Sequence, residues 1–210
     1  MDITLNNGIK FPMFGLGTWQ SPKEEVKTAV REALNAGYRH IDTAYMYGNE
    51  DAVGEVIEEF IKSKKLRREE VFITTKLPGI HTRSSDVALS LDISLKNLKL
   101  TYIDLYLIHG PIPLKNTGPL NIYPMENGKL LVDDFDLEGT WKAMEAMVDQ
   151  GKAKSIGISN FNRKQIERIC RVARILPVTN QVECHAYFPQ TELAEFCKEK
   201  NIVLTAYSPL

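Results

Sequence analysis

The chain has 210 residues, 43% of them hydrophobic, and its 26 basic and 27 acidic side chains leave a formal net charge of −1. That length and composition fit one globular domain with a substantial core and exclude the signatures of disordered and fibrous chains. The balanced charge offers no footprint for nucleic acid or an anionic membrane, and no apolar run approaches the roughly 20 residues that a spanning helix needs. A small, nearly neutral molecule is the expected partner. The first residues lack a basic flank leading into an apolar stretch, so the expected location is the cytoplasm. Cys170, Cys184 and Cys197 have neither Cys-x-x-Cys nor zinc-ligand spacing. They read as reduced structural thiols, with no metal site expected.

The opening "ITLNNGIKFP" predicts a hairpin turning at Asn7-Gly8, placed across the bottom of whatever follows. Seven β-rich apolar runs come next: "FGLGTW" near 14, "RHID" near 39, "VFITTK" from 71, "IDLYLIH" from 103, "AKSIGIS" from 153, "TNQVECH" from 179 and "IVLTAYS" from 202. Helix-period segments separate them at 23–36, 50–63, 85–98, 137–150, 163–174 and 190–200. For the first helix, "SPKEE" predicts a Ser21 cap with Pro22 at the first helical position. Gly37 and Gly151 stand just past helix ends. The basic run "KSKKLRREE" reads as a solvated helix end. Residues 111–136, proline-rich and with an Asn127-Gly128 turn, are too long for a routine connection and read as a lid or binding loop.

One helix after each strand implies a parallel sheet, and strands apolar on both faces leave an open doubly wound sheet or a barrel. Gly15-x-Gly17 is followed by Gln20 where a dinucleotide fingerprint needs its third glycine, and no phosphate-loop pattern occurs. The barrel is favoured. In that fold the C-terminal strand ends form the active-site face. Asp42 ends the second strand, Tyr47 lies in the loop after it, Lys76 ends the third and His109 the fourth. Each alone has a plainer reading: Asp42 as a loop or cap residue, Lys76 as a snorkelling surface lysine, His109 as a core histidine. Their shared placement is what points to chemistry.

The segments "GYRHIDTAYMYGNEDAVGE", "YIDLYLIH", "GKAKSIGISNFN" and "NQVECHAYFPQ" resemble signature segments of the aldo-keto reductase family. The resemblance implies an α/β fold of the TIM (β/α)8 type, binding NADPH without a Rossmann motif and reducing small aldehydes or ketones. It makes Tyr47 the proton donor, with Asp42, Lys76 and His109 as its catalytic partners. A phenol, whose ordinary pKa is about 10, is a weak acid at neutral pH, and an adjacent ammonium lowers that value. Lys76 would supply the ammonium, Asp42 would keep it charged, and His109 would hold the carbonyl oxygen.

By the same resemblance Gly17, Thr18, Asp42, Ser159, Asn160 and Gln181 contact the cofactor, Tyr207 stacks on the nicotinamide, and Ser208 and Leu210 approach the pyrophosphate. Trp19, Tyr47, His109 and Gly110 line the substrate pocket. A plainer reading of Ser159 and Asn160 is the N-cap of the helix that follows. The chain departs from the family pattern at Gly110 and Pro78, where aromatic residues are usual, which implies a wider pocket. It also stops at "AYSPL", so the expectation is a single barrel domain, 1–210, lacking the last helix-strand-helix elements. Its first and seventh strands would keep open edges, and self-association there is an alternative to the monomer that the family implies. The alternative function is a catalytically impaired isoform, or a cofactor-binding regulatory subunit of the same fold.

Overall fold

A computed structural model describes residues 1–119, 121–134 and 136–210. Strands β1 (Asp2–Thr4) and β2 (Lys10–Pro12) form the expected antiparallel hairpin, with Gly8 at φ 85 in its turn. The main sheet contains β3 (Leu16–Gly17), β4 (His40–Asp42), β5 (Phe72–Leu77), β6 (Ile103–Ile108), β9 (Ala153–Ser159), β10 (Thr179–Glu183) and β11 (Val203–Tyr207). These seven strands pair in parallel, in the order β11-β10-β9-β6-β5-β4-β3. Between them run helices α1 (Lys23–Asn35), α2 (Glu50–Lys62), α3 (Val87–Leu98), α4 (Leu137–Asp149), α5 (Arg163–Val172) and α6 (Thr191–Glu199).

The sheet is curled. On a flat sheet β4 and β10, four places apart, would lie about 19 Å from each other. Instead Gln181 on β10 donates to the Asp42 carboxylate on β4 at 2.8 Å. The hairpin spans the lower end of the curl: Asn6 donates to the Pro177 carbonyl at 2.8 Å and Asn7 to the Ser155 hydroxyl at 2.9 Å. Leu5 and Phe11 pack there on Phe72, Leu105, Leu107 and Val178, forming a small inner core. A larger outer core lies between the helices and the other face of the strands. The edge strands β3 and β11 do not pair, and a cavity of about 500 Å³ opens between them.

All of β5 and β6 is buried, which accounts for runs that read as apolar on both faces. Along β5 the side chains alternate: Ile73 and Leu77 enter the outer core while Phe72 faces inward. α1 turns Val26, Val30 and Leu34 toward the sheet, one helical repeat apart. The predicted Ser21 cap is not formed. Pro22, at ψ 152, is still extended, so the helix starts one residue later without a side-chain cap. The Ser21 carbonyl instead accepts the Asn49 amide at 3.0 Å. Gly37 and Gly151 do follow helix ends, at φ 96 and 70.

In the long connection, β7 (Met125–Glu126) and β8 (Lys129–Leu130) pair around the Asn127-Gly128 turn. Leu120 and Phe135 of that connection lie outside the described residues.

Candidate active site

At the C-terminal end of the sheet, register sets the polar residues side by side. Gly17 pairs with Asp42, and the Thr18 amide and hydroxyl both donate to the Asp42 carbonyl at 3.1 Å. This fixes the strand end from which the Asp42 side chain projects. A single 3-10 turn, Tyr45–Tyr47, follows, and Gly48 ends it at φ 65, a conformation that favours glycine.

Lys76 lies between Thr75 and Leu77 on β5. Its neighbours point to the helices, so its own side chain points into the curl. It is only 1% exposed. Nζ donates to the Asp42 carboxylate, to the Thr43 carbonyl at 3.0 Å and to the Tyr47 hydroxyl at 3.2 Å. An ammonium has three protons, and all three find acceptors here. Burial works against the Lys76 charge, but Asp42 and Tyr47 outweigh it and hold its pKa above the usual lysine value. For Tyr47, burial is the largest influence and raises its pKa, while Lys76 pulls the other way. The expected net lowering of the phenol pKa is therefore not found; desolvation exceeds the effect of the ammonium. Tyr47 carries its proton at neutral pH.

His109 continues the inward series of Leu105 and Leu107, and its amide donates to the Leu77 carbonyl at 3.0 Å. Its ring meets that of Tyr47 edge-on, with centroids 5.7 Å apart. Burial, and then Lys76, push its pKa down to about 4. The imidazole is neutral at physiological pH. Its Nδ1 is buried without a hydrogen-bond partner among the described residues.

These groups border a pocket of about 400 Å³. One wall holds Gly17, Thr18, Trp19, Asp42, Tyr47 and His109; the other holds Ser159, Asn160, Gln181, Tyr207 and Ser208. Lys76 stands behind the first wall. Gly110 does not line the pocket, and a β-carbon added there would meet nothing within 4 Å among the described residues. Leu210 is fully exposed and away from the pocket. Sequence reasoning missed Met46 and Tyr123, which also line it. Tyr123 had a visible signal, an aromatic residue inside a connection whose length and prolines suggest a lid.

The second wall is a belt of amides and hydroxyls. Asn160, at φ 64, donates to the His109 carbonyl at 3.0 Å and accepts from the Tyr207 hydroxyl at 2.9 Å; Ser159 donates to the Gln181 carbonyl at 2.9 Å. Neither Ser159 nor Asn160 caps α5. Asn162 does, in a reciprocal pair with Gln165, because the chain needs two more residues to turn from β9 into the helix.

The sequence profile described as the Aldo/keto reductase family matches residues 12–210. The chain belongs to the aldo/keto reductase family. It is 48% identical over 209 residues to Aldo-keto reductase family 1 member A1 of Xenopus tropicalis, covering 99% of this chain and 63% of that protein. It is 47% identical over 213 residues to Aldo-keto reductase family 1 member C1 of Homo sapiens, covering 99% of this chain and 66% of that one. It therefore spans less than two thirds of the length of these curated relatives. A solved aldose reductase from Schistosoma japonicum superposes with a TM-score of 0.96 at 46% identity, covering 99% of this chain and 69% of that one. This agreement places the curled sheet in the (β/α)8 barrel class.

Proposed function

We propose that this family member reduces an aldehyde or ketone to an alcohol with NADPH, and that Tyr47 gives the proton. The observation that carries the reading is the three-way contact of Lys76 with Asp42, Thr43 and Tyr47 beside the neutral His109. The residues present fit a nicotinamide. Gln181, Asn160 and Ser159 offer both donors and acceptors to a carboxamide, and the partly exposed Tyr207 ring offers a flat face on the same wall. A reduced nicotinamide, when bound, supplies a hydride to the carbonyl carbon.

The chain's own residues deal with the oxygen. Tyr47 hands its phenolic proton to the oxygen as negative charge develops there. Lys76, 3.2 Å from that hydroxyl, stabilises the phenolate left behind. Asp42 keeps the lysine charged despite burial, since a buried ammonium without a partner would lose its proton. His109, neutral, offers the oxygen a hydrogen bond without competing as an acid. Trp19, Met46 and Tyr123 supply apolar surface for the rest of the substrate.

The test follows cofactor oxidation with a simple aromatic aldehyde for the parent and Tyr47→Phe, with NADPH binding measured on both. Turnover in the parent alone supports the reading. Binding without turnover in either would replace it with cofactor binding only, and absence of both would reject it.

A further inference from the structure

Glu50 is a buried carboxylate that the proposed chemistry does not use. It is the first residue of α2, only 2% exposed, and stands three positions after Tyr47. One of its oxygens accepts the Thr75 hydroxyl at 2.6 Å and the other the Asn97 amide at 3.3 Å. A helix N-terminus favours an acid, but an exposed one would gain that without the cost of burial. Burial does raise the Glu50 pKa. Its place in the chain gives the carboxylate a second role.

Thr75 is the residue immediately before Lys76, and the two side chains leave β5 on opposite faces. The Glu50–Thr75 bond grips the outer face of the strand whose inner face carries the lysine. At its other end that bond belongs to the segment that carries Tyr47. The neighbouring Asn49, 1% exposed, ties the same segment to the preceding loop, donating to the Thr18 carbonyl at 2.8 Å and the Ser21 carbonyl at 3.0 Å. The tyrosine turn is thus pinned on one side to β5 and on the other to the loop that bears Trp19.

We infer that Glu50 is a positioning residue, whose bond to Thr75 holds the Tyr47 turn and β5 at the spacing that sets the 3.2 Å contact between Lys76 and the Tyr47 hydroxyl. Tyr47 is also faced by Asp42, His109 and Tyr123, and Glu50 by Tyr45, Tyr106 and Lys76. Thr75→Val changes none of these charges and keeps the side-chain shape, so it isolates the bond. The inference rests on the proposed role of Tyr47 for its functional meaning, but its test does not need turnover.

The protein labelled with 13C at the tyrosine ring carbon bearing oxygen reports the hydrogen bonding of each phenol at neutral pH. The Tyr47 signal is identified by its loss in Tyr47→Phe. In Thr75→Val that signal is expected to move toward its position in Lys76→Met, with kcat reduced about tenfold or more and KM little changed. Thr75→Ser, which restores the donor, and Glu50→Gln, which keeps an acceptor oxygen, are expected to hold the signal near the parent position. A Thr75→Val protein that loses stability while its Tyr47 signal stays in place would overturn the inference. Should that variant not fold, Thr75→Cys, a weaker donor, gives the same reading with a smaller displacement. A displaced signal in a protein whose parent has no turnover would sink the reductase reading and leave the positioning role standing.

Discussion

The Lys76 ammonium stands 3.2 Å from the Tyr47 hydroxyl, with the Asp42 carboxylate and the Thr43 carbonyl taking its other two protons. This relationship joins two neighbouring strands and the turn after the first of them, since Asp42 ends β4, Tyr47 follows it and Lys76 belongs to β5.

Lys76→Met removes the charge beside the Tyr47 hydroxyl, which is proposed to stabilise the phenolate, and keeps most of the side-chain volume. Carbonyl reduction is expected to fall by about 10²–10⁴. Asp42→Ala acts differently, leaving a buried ammonium without its carboxylate, and is expected to destabilise the protein by about 3–5 kcal/mol in urea unfolding.

His40 gives a pH dependence of known sign. It is 4% exposed, packed against Phe11 and Phe72, with Nε2 at 2.9 Å from the Thr74 hydroxyl. Burial lowers its pKa to about 4, whereas the unfolded chain keeps a value of about 6.5. The unfolded state therefore takes the proton first. Its stabilising contribution is complete above about pH 6.5 and is lost as pH falls toward 4. Buried Glu50, with its pKa raised by burial, has the opposite sign, so the parent must be compared with His40→Gln. Between pH 7 and 5 the parent should lose about 2 kcal/mol more than the variant in urea unfolding.

Gly54 is where α2 meets α3. A β-carbon there would stand 2.6 Å from the Asn97 carbonyl oxygen and 2.7 Å from the Leu98 backbone, neither of which can rotate away. Gly54→Ala is expected to cost about 3 kcal/mol in urea unfolding. Because Asn97 also bonds Glu50, the same variant should displace the Tyr47 signal.

Gly110 presents the contrary case, with open space where a β-carbon would stand and no positive φ. Gly110→Ala should fold with stability within about 0.5 kcal/mol of the parent. Gly110→Trp, which adds a ring beside His109, is expected to raise KM for a bulky ketone more than for a small aldehyde.

Most of the frame was legible in the sequence because the seven strands are short, the five between the edges are largely buried, and helices with clear periodicity separate them. Asp42, Tyr47, Lys76 and His109 could be singled out since each sits at or just after a strand end. Other features depend on contacts that no local pattern encodes. The start of α1 escapes the local pattern because Pro22 stays extended while the Ser21 carbonyl serves Asn49. The direction of the Tyr47 pKa escapes it because residue types announce the ammonium but not the depth of burial that outweighs it. Glu50 looks like an ordinary acid at a helix start; only the fold shows it buried against Thr75.

The most direct test of the central claim uses NADPH deuterated at the nicotinamide C4 position that transfers, an aromatic aldehyde and the protein, with mass spectrometry of the alcohol. The alcohol is expected to carry one deuterium on the former carbonyl carbon, and Tyr47→Phe to give almost no labelled product. Unlabelled alcohol, or labelled alcohol formed equally well without the Tyr47 hydroxyl, would contradict the claim.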